Sequence, residues 1–506
     1  MSQQASVSID PAFVVAPVNR RVFGSFVEHM GRCVYTGLYE PGHPTADEDG
    51  FRGDVLDLVR ELGVTTIRYP GGNFVSGYRW EDGVGPVGER PTRLDPAWRS
   101  IETNAFGLNE FMTWATKADV EPMMAINLGT RGLQEAIDLL EYTNHPQGTT
   151  LSDLRIAHGA AEPHDIRMWC LGNEMDGPWQ LGHKTASEYG RLAAETGRAM
   201  RQFDPTLELV ACGSSSRAMP TFGAWEATVL EHTYDVVDFI SAHAYYQLDG
   251  SDHASFLASS VDMDRFIDQV VATADHVGAR LKSDRRINIS FDEWNVWYQR
   301  ELSSGGLPAD WTEAPRTSEE AYTVLDAVVV GSLLITLLRH SDRVTAASQA
   351  QLVNTISSIR TEPNGPAWRQ SIFHPFALMA KHSAGQVLDL RLDAPTLPTT
   401  KFGDVPLLDS VATYDADDGR VAVFVVNRHP SEPASLSTAL GGFGGGELVE
   451  AVVIADDDLT AANTQDDPDR VTPQPHPSAR VVDGVLRAEL PPASWNMFLL
   501  RVGTLA

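Results

Sequence analysis

From about residue 20 to residue 382, short segments that are apolar throughout alternate with longer amphipathic segments. A strand that is apolar at every position, not only at every second one, is typical of a parallel sheet buried on both faces. Parallel neighbours need long crossover connections, which amphipathic helices supply. Eight such units over roughly 360 residues predict an α/β fold, a (β/α)8 TIM barrel with enlarged loops. The predicted strands are 21–28, 65–69, 122–128, 166–171, 208–212, 236–243, 287–293 and 344–352.

The amphipathic segments predict the barrel helices, among them 54–62, 108–118, 185–203, 255–281 and 317–339. Thr185 and Glu188 have the spacing of a capping box, in which each side chain bonds the backbone N–H of the other residue. Thr317 and Glu320 repeat this spacing, which predicts that the last of these helices begins there.

The pattern changes after about residue 383, where short apolar segments are separated by Gly, Pro and Asp without any helical period. This pattern predicts a C-terminal antiparallel β-sandwich, jelly-roll-like in form. We therefore expect a catalytic barrel at 18–384 and a sandwich at 385–506, completed by an N-terminal strand within 5–17. The predicted sandwich strands are 386–392, 406–414, 420–427, 448–455, 481–490 and 494–502.

Composition narrows the choice of partners. The net charge of −29 argues against nucleic acid or an anionic membrane as a partner, because both need a basic surface. Cys33, Cys170 and Cys212 are odd in number and lack CxxC spacing, so reduced core thiols are expected.

Residues 1–6 have neither a basic start nor an apolar segment, and no apolar run reaches the roughly 20 residues of a membrane span. A cytoplasmic protein is the expectation.

Two predicted strands end in a glutamate. Glu174 follows Trp169-Cys170-Leu171-Gly172-Asn173, and Glu293 ends the strand at 287–293. Because ionised groups are costly to bury, two carboxylates on separate strands indicate an acid and a nucleophile acting on a glycosidic bond. The carboxyl ends of barrel strands meet at one mouth. The other polar residues predicted there are Glu28, His29, Arg68, Asn73, Asn127, Asn173, His243, Tyr245, Asp292, Gln349 and Gln351.

These residue types suit a sugar, because carboxylates, amides, His and Tyr pair with hydroxyl groups. Other interpretations stay open: His243 as a buried structural histidine, Tyr245 as ordinary packing, and Arg68 as the partner of a structural glutamate. No Walker loop or GxGxxG follows a strand and no HExxH occurs, so neither cofactor nor metal is expected, although distant strands can still assemble a metal site. The tryptophans with a face to offer a sugar ring are Trp98, Trp179, Trp294 and Trp297.

Several longer motifs resemble the α-L-arabinofuranosidases of glycoside hydrolase family 51, over the whole chain. They include Phe23-Gly24-Ser25-Phe26-Val27-Glu28-His29, Arg68-Tyr69-Pro70-Gly71-Gly72-Asn73-Phe74, Trp169 to Trp179, Asp292-Glu293-Trp294-Asn295-Val296-Trp297 and Ala350-Gln351-Leu352-Val353-Asn354.

The resemblance implies a role for each matching residue. Glu174 is expected to be the general acid/base, Glu293 the nucleophile, and Asn173 the partner of the sugar 2-hydroxyl. Glu28, Asn73 and Gln351 would bind the other hydroxyls, and Arg68 and Tyr245 would position the nucleophile. His243 would lie beside the acid/base, and Trp98 and Trp297 would line the site. The resemblance also implies an intracellular homohexamer.

The expected reaction is retaining, exo-acting release of terminal L-arabinofuranose from arabinan or arabinoxylan fragments by double displacement. A retaining enzyme holds its two carboxyl groups about 5–5.5 Å apart, against roughly 6.5–9.5 Å in an inverting enzyme. The alternatives are a β-xylosidase or endoglucanase of the same architecture and a non-catalytic glycan-binding protein. Linkage, polymer and the role of the sandwich stay open.

Overall fold

The computed structural model describes residues 3–299 and 307–503 of the 506-residue chain. Eight parallel strands close into a barrel in which each strand pairs with the next along the chain, and Ser348 of the last pairs with Gly24 of the first. The fold class is confirmed. The barrel strands are β1 Gly24–Phe26, β2 Thr66–Tyr69, β3 Glu121–Ala125, β4 Met168–Leu171, β5 Glu208–Ala211, β6 Phe239–Tyr246, β7 Asn288–Val296 and β8 Val344–Gln349.

One helix of at least ten residues follows each barrel strand. Between β3 and β4 a second, shorter helix spans Thr150–Ala157. The eight helices are α1 Gly53–Leu62, α2 Leu108–Ala118, α3 Leu133–Asn144, α4 Ala186–Phe203, α5 Ala224–Thr233, α6 Ser260–Leu281, α7 Val324–Arg339 and α8 Phe373–His382.

Several predicted boundaries differ from the structure, and the sandwich strands predicted at 386–392 and 481–490 are each two strands. The strand predicted at 21–28 begins only at Gly24, because Arg20–Phe23 is a 3-10 helix capped by the Asn19 side chain, which accepts from the Arg21 N–H. The helix predicted at 255–281 is two helices, His253–Leu257 and α6. Between them, Ser259 Oγ donates to the Phe256 carbonyl at 2.7 Å, a local bond that competes with helix continuation.

The predicted start of α7 is wrong. Thr323, not Thr317, is its N-cap: the Thr323 side chain accepts from the Asp326 N–H, and Asp326 accepts from the Thr323 N–H at 2.7 Å. The capping box at Thr185 and Glu188 is present at the start of α4.

The C-terminal part is all β, with two main sheets whose strands are mostly antiparallel. The parallel pair is Gln3–Ser8 beside Ala434–Ala439, a strand that weak apolar character hid from sequence analysis. One sheet contains Arg391–Asp393, Gln3–Ser8, Ala434–Ala439, Val485–Leu490 and Arg480–Val482. The other contains Val14–Pro17, Gln386–Leu388, Leu408–Asp415, Arg420–Asn427, Ser494–Val502, Gly446–Ile454 and Gln474–Pro475.

One hydrophobic cluster extends from the barrel into the all-β part, which also has a cluster of its own. Trp495 and Phe424 of the larger sheet are fully buried in the cluster that also contains the side chains of α7. At Gly331 of α7 a Cβ atom would lie 2.2 Å from Trp495, so this helix position needs glycine for the sheet to dock. The two parts are therefore packed as one body.

Cys33, Cys170 and Cys212 are buried and not disulfide-bonded, as expected for core thiols. Among the helices of the described residues, none combines the length and the apolar character needed to cross a membrane.

Candidate active site

Glu293 enters the barrel mouth through an irregularity in β7. Ser290 pairs with Ser241, and Glu293 pairs with His243. Between these two pairs β7 advances by three residues, whereas β6 advances by two. The register against β8 shifts across the same positions. An extra residue of this kind is a β-bulge, which re-aims side chains that regular alternation would send to opposite faces. Asp292 and Glu293 both contact His243 for this reason.

Glu174 lies in the turn directly after β4. Its backbone adopts a left-handed conformation with φ of 42°, which is strained for a residue with a Cβ and is found mostly where function requires it. One carboxylate oxygen, Oε1, is 2.8 Å from His243 Nδ1, and the other accepts from the indole N–H of Trp179 at 2.8 Å. Both oxygens of Glu174 are thus oriented by neighbours.

The Glu293 carboxylate is held by an arginine and a tyrosine. Arg68 Nη1 donates to Oε1 at 2.8 Å, and the Tyr245 hydroxyl donates to Oε2 at 2.8 Å. Arg68 also donates through Nη2 to Asn173 Oδ1 at 2.7 Å, which links the residue beside Glu174 to the residue that binds Glu293. One oxygen of each glutamate and a ring nitrogen of His243 lie within 4.8 Å of one another.

Glu28 anchors the far side of the mouth. It accepts from the Phe74 N–H at 2.9 Å, from Trp98 Nε1 at 2.8 Å and from Gln351 Nε2 at 2.9 Å. The loop after β2 can pass this close because it carries two glycines: a Cβ at Gly71 or Gly72 would lie 2.9 Å from Glu28 atoms. Gly71 and Gly72 are therefore a steric requirement of the site.

The remaining predicted residues border the same space. Asn73 begins the 3-10 helix Asn73–Gly77, and its Oδ1 accepts from Asn173 Nδ2 at 3.3 Å. Trp98 packs with Phe74 in a small apolar cluster that Trp297 also contacts. All eleven predicted site residues, Glu28, Arg68, Asn73, Trp98, Asn173, Glu174, His243, Tyr245, Glu293, Trp297 and Gln351, belong to this connected set.

Four residues that sequence analysis placed at the mouth or against a sugar serve the framework instead. His29 bonds Glu102 and Tyr69, and Asn127 bonds the Tyr78 carbonyl and its own loop. Gln349 accepts from the Ser358 hydroxyl and donates to Asn295. Trp294 is fully buried in the main core, so it offers no face to a sugar.

Two residues that sequence analysis placed at the mouth or against a sugar make contacts that it did not assign to them. Trp179, about half exposed, bonds Glu174 directly, and Asp292, fully buried, bonds His243 Nε2 at 3.0 Å. The position of Asp292 at the end of its strand placed it at the mouth, but its contact with the same ring as Glu293 was not predicted, because strand alternation makes neighbours face apart and the bulge leaves no mark in the sequence.

Burial and charge work against each other in this site. Burial raises the pKa of Glu293; His243, Arg68 and the Tyr245 hydroxyl oppose that rise, and the nearby Glu174 adds to it. Burial also raises the pKa of Glu28, to about 8. Burial alone would lower the pKa of His243, but Glu293, Asp292 and Glu174 hold it well above its usual value. The surrounding carboxylates therefore favour the protonated form of His243.

The spacing of Glu174, His243 and Glu293 would also allow them to share a metal ion. The Arg68 guanidinium already bonds Glu293, however, and the His243 ring, whose protonated form the carboxylates favour, bonds Glu174. A metal ion would have to displace these two positive charges, so the arrangement fits hydrogen bonding and proton transfer better than coordination.

Comparison with known proteins gives a consistent result. The family model "Alpha-L-arabinofuranosidase 1 domain" matches residues 58–255, and "Alpha-L-arabinofuranosidase C-terminal domain" matches residues 292–494. An intracellular exo-α-(1→5)-L-arabinofuranosidase of Streptomyces lividans is 61% identical over 97% of this chain and 74% of its own length. An exo-α-(1→6)-L-arabinofuranosidase of Bifidobacterium longum is 56% identical over 98% of this chain and 97% of its own.

A solved structure of a family 51 α-L-arabinofuranosidase from Bifidobacterium longum superimposes with a TM-score of 0.95 at 48% identity, covering 99% of this chain and 100% of the other. Fold, sequence and the two domain matches thus agree along nearly the whole length. The chain belongs to the α-L-arabinofuranosidases of glycoside hydrolase family 51.

Proposed function

We propose that this enzyme is a retaining, exo-acting α-L-arabinofuranosidase in which Glu293 is the nucleophile and Glu174 the general acid/base. The observation that carries the proposal is the separation of the two carboxyl groups, oxygens of which lie within 4.8 Å of one another. An inverting enzyme needs roughly 6.5–9.5 Å between its carboxyl groups to admit a water molecule between acid and base. The shorter gap suits direct attack by one carboxylate.

The neighbours of each glutamate support this division of roles. Glu293 bonds a guanidinium and a phenol donor, which favour the carboxylate that must attack the sugar. Two carboxyl groups this close are costly to ionise together, so one proton is retained by the pair. Placing it on Glu174 leaves Asp292 and Glu293 as anions facing the cations Arg68 and His243, which balances the charge of the buried cluster.

The reaction then proceeds in two steps. Glu293 attacks the anomeric carbon as the glycosidic C–O bond breaks, and Glu174 gives its proton to the leaving oxygen. Glu174, now a carboxylate, takes a proton from water, whose oxygen attacks the same carbon and releases Glu293. Glu28, Asn73, Asn173 and Gln351 bind the hydroxyls of the furanose, and His243 and Tyr245 hold the two glutamates. Trp98 and Trp297 line the site beside the sugar ring.

The deep burial of Glu28, Asn173 and Glu293 supports a pocket for one terminal sugar and thus exo-action. We propose arabino-oligosaccharides from arabinan or arabinoxylan as substrates, because the relatives are named for exo-action on arabinofuranosides with (1→5) or (1→6) linkages. An intracellular location is proposed on the same ground, from the name of the Streptomyces relative. The hexamer stays a prediction from the family resemblance.

The test is Glu293→Ala assayed on 4-nitrophenyl α-L-arabinofuranoside, with 4-nitrophenyl β-xyloside and β-glucoside as competing substrates. We expect turnover of the arabinofuranoside alone by the wild type, and its loss in Glu293→Ala because no nucleophile remains. Azide, small enough to enter the space left by the carboxylate, should restore release of nitrophenol and form a glycosyl azide. Activity that survives in Glu293→Ala without azide rules out this nucleophile, and preference for the xyloside rules out the proposed specificity.

A further inference from the structure

Asp292 is buried directly beneath the two catalytic glutamates, with a side chain only 1% exposed. Its Oδ1 is 3.0 Å from His243 Nε2. Its Oδ2 accepts from the Cys170 thiol at 3.7 Å and lies 3.8 Å from Arg68 Nε. Asp292 therefore contacts the two cations of the site and does not contact either glutamate by any bond described in the structure.

The bulge in β7 allows the Asp292 side chain to reach the His243 ring. In a regular strand Asp292 would face away from the residue next to it, toward the helices around the barrel. The extra residue lets both carboxylates reach the His243 ring, one at each nitrogen: Asp292 at Nε2 and Glu293, with Glu174, at Nδ1. The bulge thus lets β7 place two acidic side chains, Asp292 and Glu293, against His243.

We infer that Asp292 is a positioning residue that keeps His243 protonated and turned toward Glu174 and Glu293, so that it sets the proton affinity of the catalytic pair through His243. This inference rests on the proposed function of those two glutamates. With Nε2 bonded to Asp292, the Nδ1–H of His243 points at Glu174 Oε1, 2.8 Å away, and lies 3.5 Å from Glu293 Oε2.

The charged groups around His243 come from three strands. β7 supplies Asp292 and Glu293, and the turn after β4 supplies Glu174 and, farther away, Asp176. Arg68 of β2 is the other cation, bonded to Glu293 and near Asp292. Glu293 and Glu174 each change charge during the proposed reaction, whereas Asp292 does not. A fixed anion is therefore needed if His243 is to stay positive through both steps.

Asp292 could affect the two glutamates directly or through His243, and these two possibilities predict opposite shifts of the pH profile when Asp292 loses its charge. If Asp292 acted directly on the glutamates, removing a negative neighbour would make them ionise more easily, and both limbs of the pH profile would move to lower pH. If it acts through His243, the variant loses the nearer positive charge. Both glutamates then ionise less easily, and both limbs move to higher pH.

The experiment compares Asp292→Asn with Asp176→Asn, a matched control that removes a buried carboxyl group for which no bond to His243 is described. Asp176 accepts from the Ser215 N–H and hydroxyl at 3.1 Å, and its pKa is raised to about 6 by burial and by Glu174. The profile of kcat/KM against pH on an arabinofuranoside is measured for each variant, because it reports the free enzyme. We expect a rise of about one pH unit in Asp292→Asn and a fall in Asp176→Asn.

A second measurement follows the protonation of the His243 ring directly, in the enzyme without substrate. Histidine-selective 15N labelling gives its ring signals, which are identified among the 15 histidines by their loss in His243→Gln. Wild-type His243 should remain an imidazolium at pH 7.5, and in Asp292→Asn its titration should move down far enough for the ring to be neutral over the pH range of the two limbs. A wild-type His243 that is neutral at pH 7.5 overturns the inference even if the variant fails to fold.

The outcomes separate this inference from the proposed function. An unchanged His243 titration in folded Asp292→Asn, or pH limbs that move down as in Asp176→Asn, refutes the role of Asp292 while leaving the nucleophile and acid/base assigned. Absence of arabinofuranosidase activity in the wild type refutes the proposed function, and the NMR result still decides whether Asp292 controls His243.

Discussion

At the scale of single residues, the two glutamates differ in the donors around them. Glu293 faces Arg68 and Tyr245, whereas Glu174 faces the His243 ring and the indole of Trp179. Donors that favour the anion surround the group that must attack, and the left-handed backbone of Glu174 aims the other group into the mouth. Two chemically identical side chains acquire different roles from these contacts.

Removing the hydroxyl of Tyr245 tests whether the donors around Glu293 contribute to catalysis. Tyr245→Phe removes one donor to the buried Glu293 carboxylate, a bond worth about 1.5–3 kcal/mol, so kcat/KM should fall roughly ten- to one-hundred-fold. The same loss raises the pKa of Glu293 further, so the acid limb of the pH profile moves to higher pH.

Tyr246→Phe is the matched control, since Tyr246 is the next residue of β6 and its hydroxyl lies 3.4 Å from Asp262, away from the glutamates. Steady-state assays on an arabinofuranoside across pH supply the measurement. Equal activity of the two variants would mean that the bond from Tyr245 to Glu293 has no part in catalysis.

Sequence analysis could place Glu174 and Glu293 because a carboxylate at the end of an apolar strand is conspicuous. Single roles for Asn73 or Gln351 came from the family resemblance, since nothing local distinguishes them from loop amides. Residues such as Asn127 look the same in sequence but bond their own loops. Which amide faces the mouth depends on the path of the loop, and side-chain chemistry alone does not specify that path.

At the scale of elements, the site depends on departures from regular structure more than on the strands themselves. All eight barrel strands were predictable from apolar runs, because burial on both faces leaves a clear pattern. The bulge in β7 and the close passage of Gly71 and Gly72 over Glu28 involve contacts between distant segments. Such contacts have no local signature, so the bond of Asp292 to His243 and the position of Phe74 beside Glu28 could not be anticipated.

Helix starts illustrate the same limit. Thr317 with Glu320 and Thr323 with Asp326 have equivalent capping spacing, and only the second pair caps α7. Asp326 also accepts from the hydroxyl of Tyr298, a bond from the segment after β7. Tertiary contacts thus decide between two local signals of similar strength.

At the scale of the whole molecule, a buried polar cluster joins the barrel to the all-β part. Asp409, at the start of the strand Leu408–Asp415, accepts from Arg339 of α7 at 2.7 Å and bonds Arg428 at 2.7 Å. The hydroxyls of Ser260 and Ser332 also donate to it, at 2.9 and 2.5 Å. The bonds from Arg339, Ser260 and Ser332 therefore help hold the sheet against α6 and α7.

The cluster predicts how stability depends on pH. Burial alone would raise the pKa of Asp409, but Arg428 and Arg339 lower it well below its usual value. A carboxyl group with a lowered pKa stabilises the fold above its unfolded pKa of about 3.9, and this contribution is lost as pH falls through the folded value. Asp409→Asn should lower the free energy of unfolding at pH 7 by about 3–5 kcal/mol, because it leaves buried arginines unpaired.

Thermal or urea unfolding between pH 3 and pH 7 gives the measurement, and Asp404→Asn, an exposed position with no side-chain bond described, is the control. The difference between wild type and Asp409→Asn should shrink below about pH 4, while Asp404→Asn should match the wild type throughout. A constant difference across this range would contradict the assignment of Asp409 as an ionised partner.

The central claim, double displacement through Glu293, is tested most directly by trapping the glycosyl-enzyme. Glu174→Ala is mixed with a dinitrophenyl α-L-arabinofuranoside, whose leaving group needs no acid, and the quenched protein is weighed by intact mass spectrometry and mapped by peptide digestion. Because the second step lacks its base, the account predicts a protein heavier by one pentosyl unit, carried on the peptide that contains Glu293. Release of arabinose with no adduct, or an adduct on another carboxylate, would contradict it.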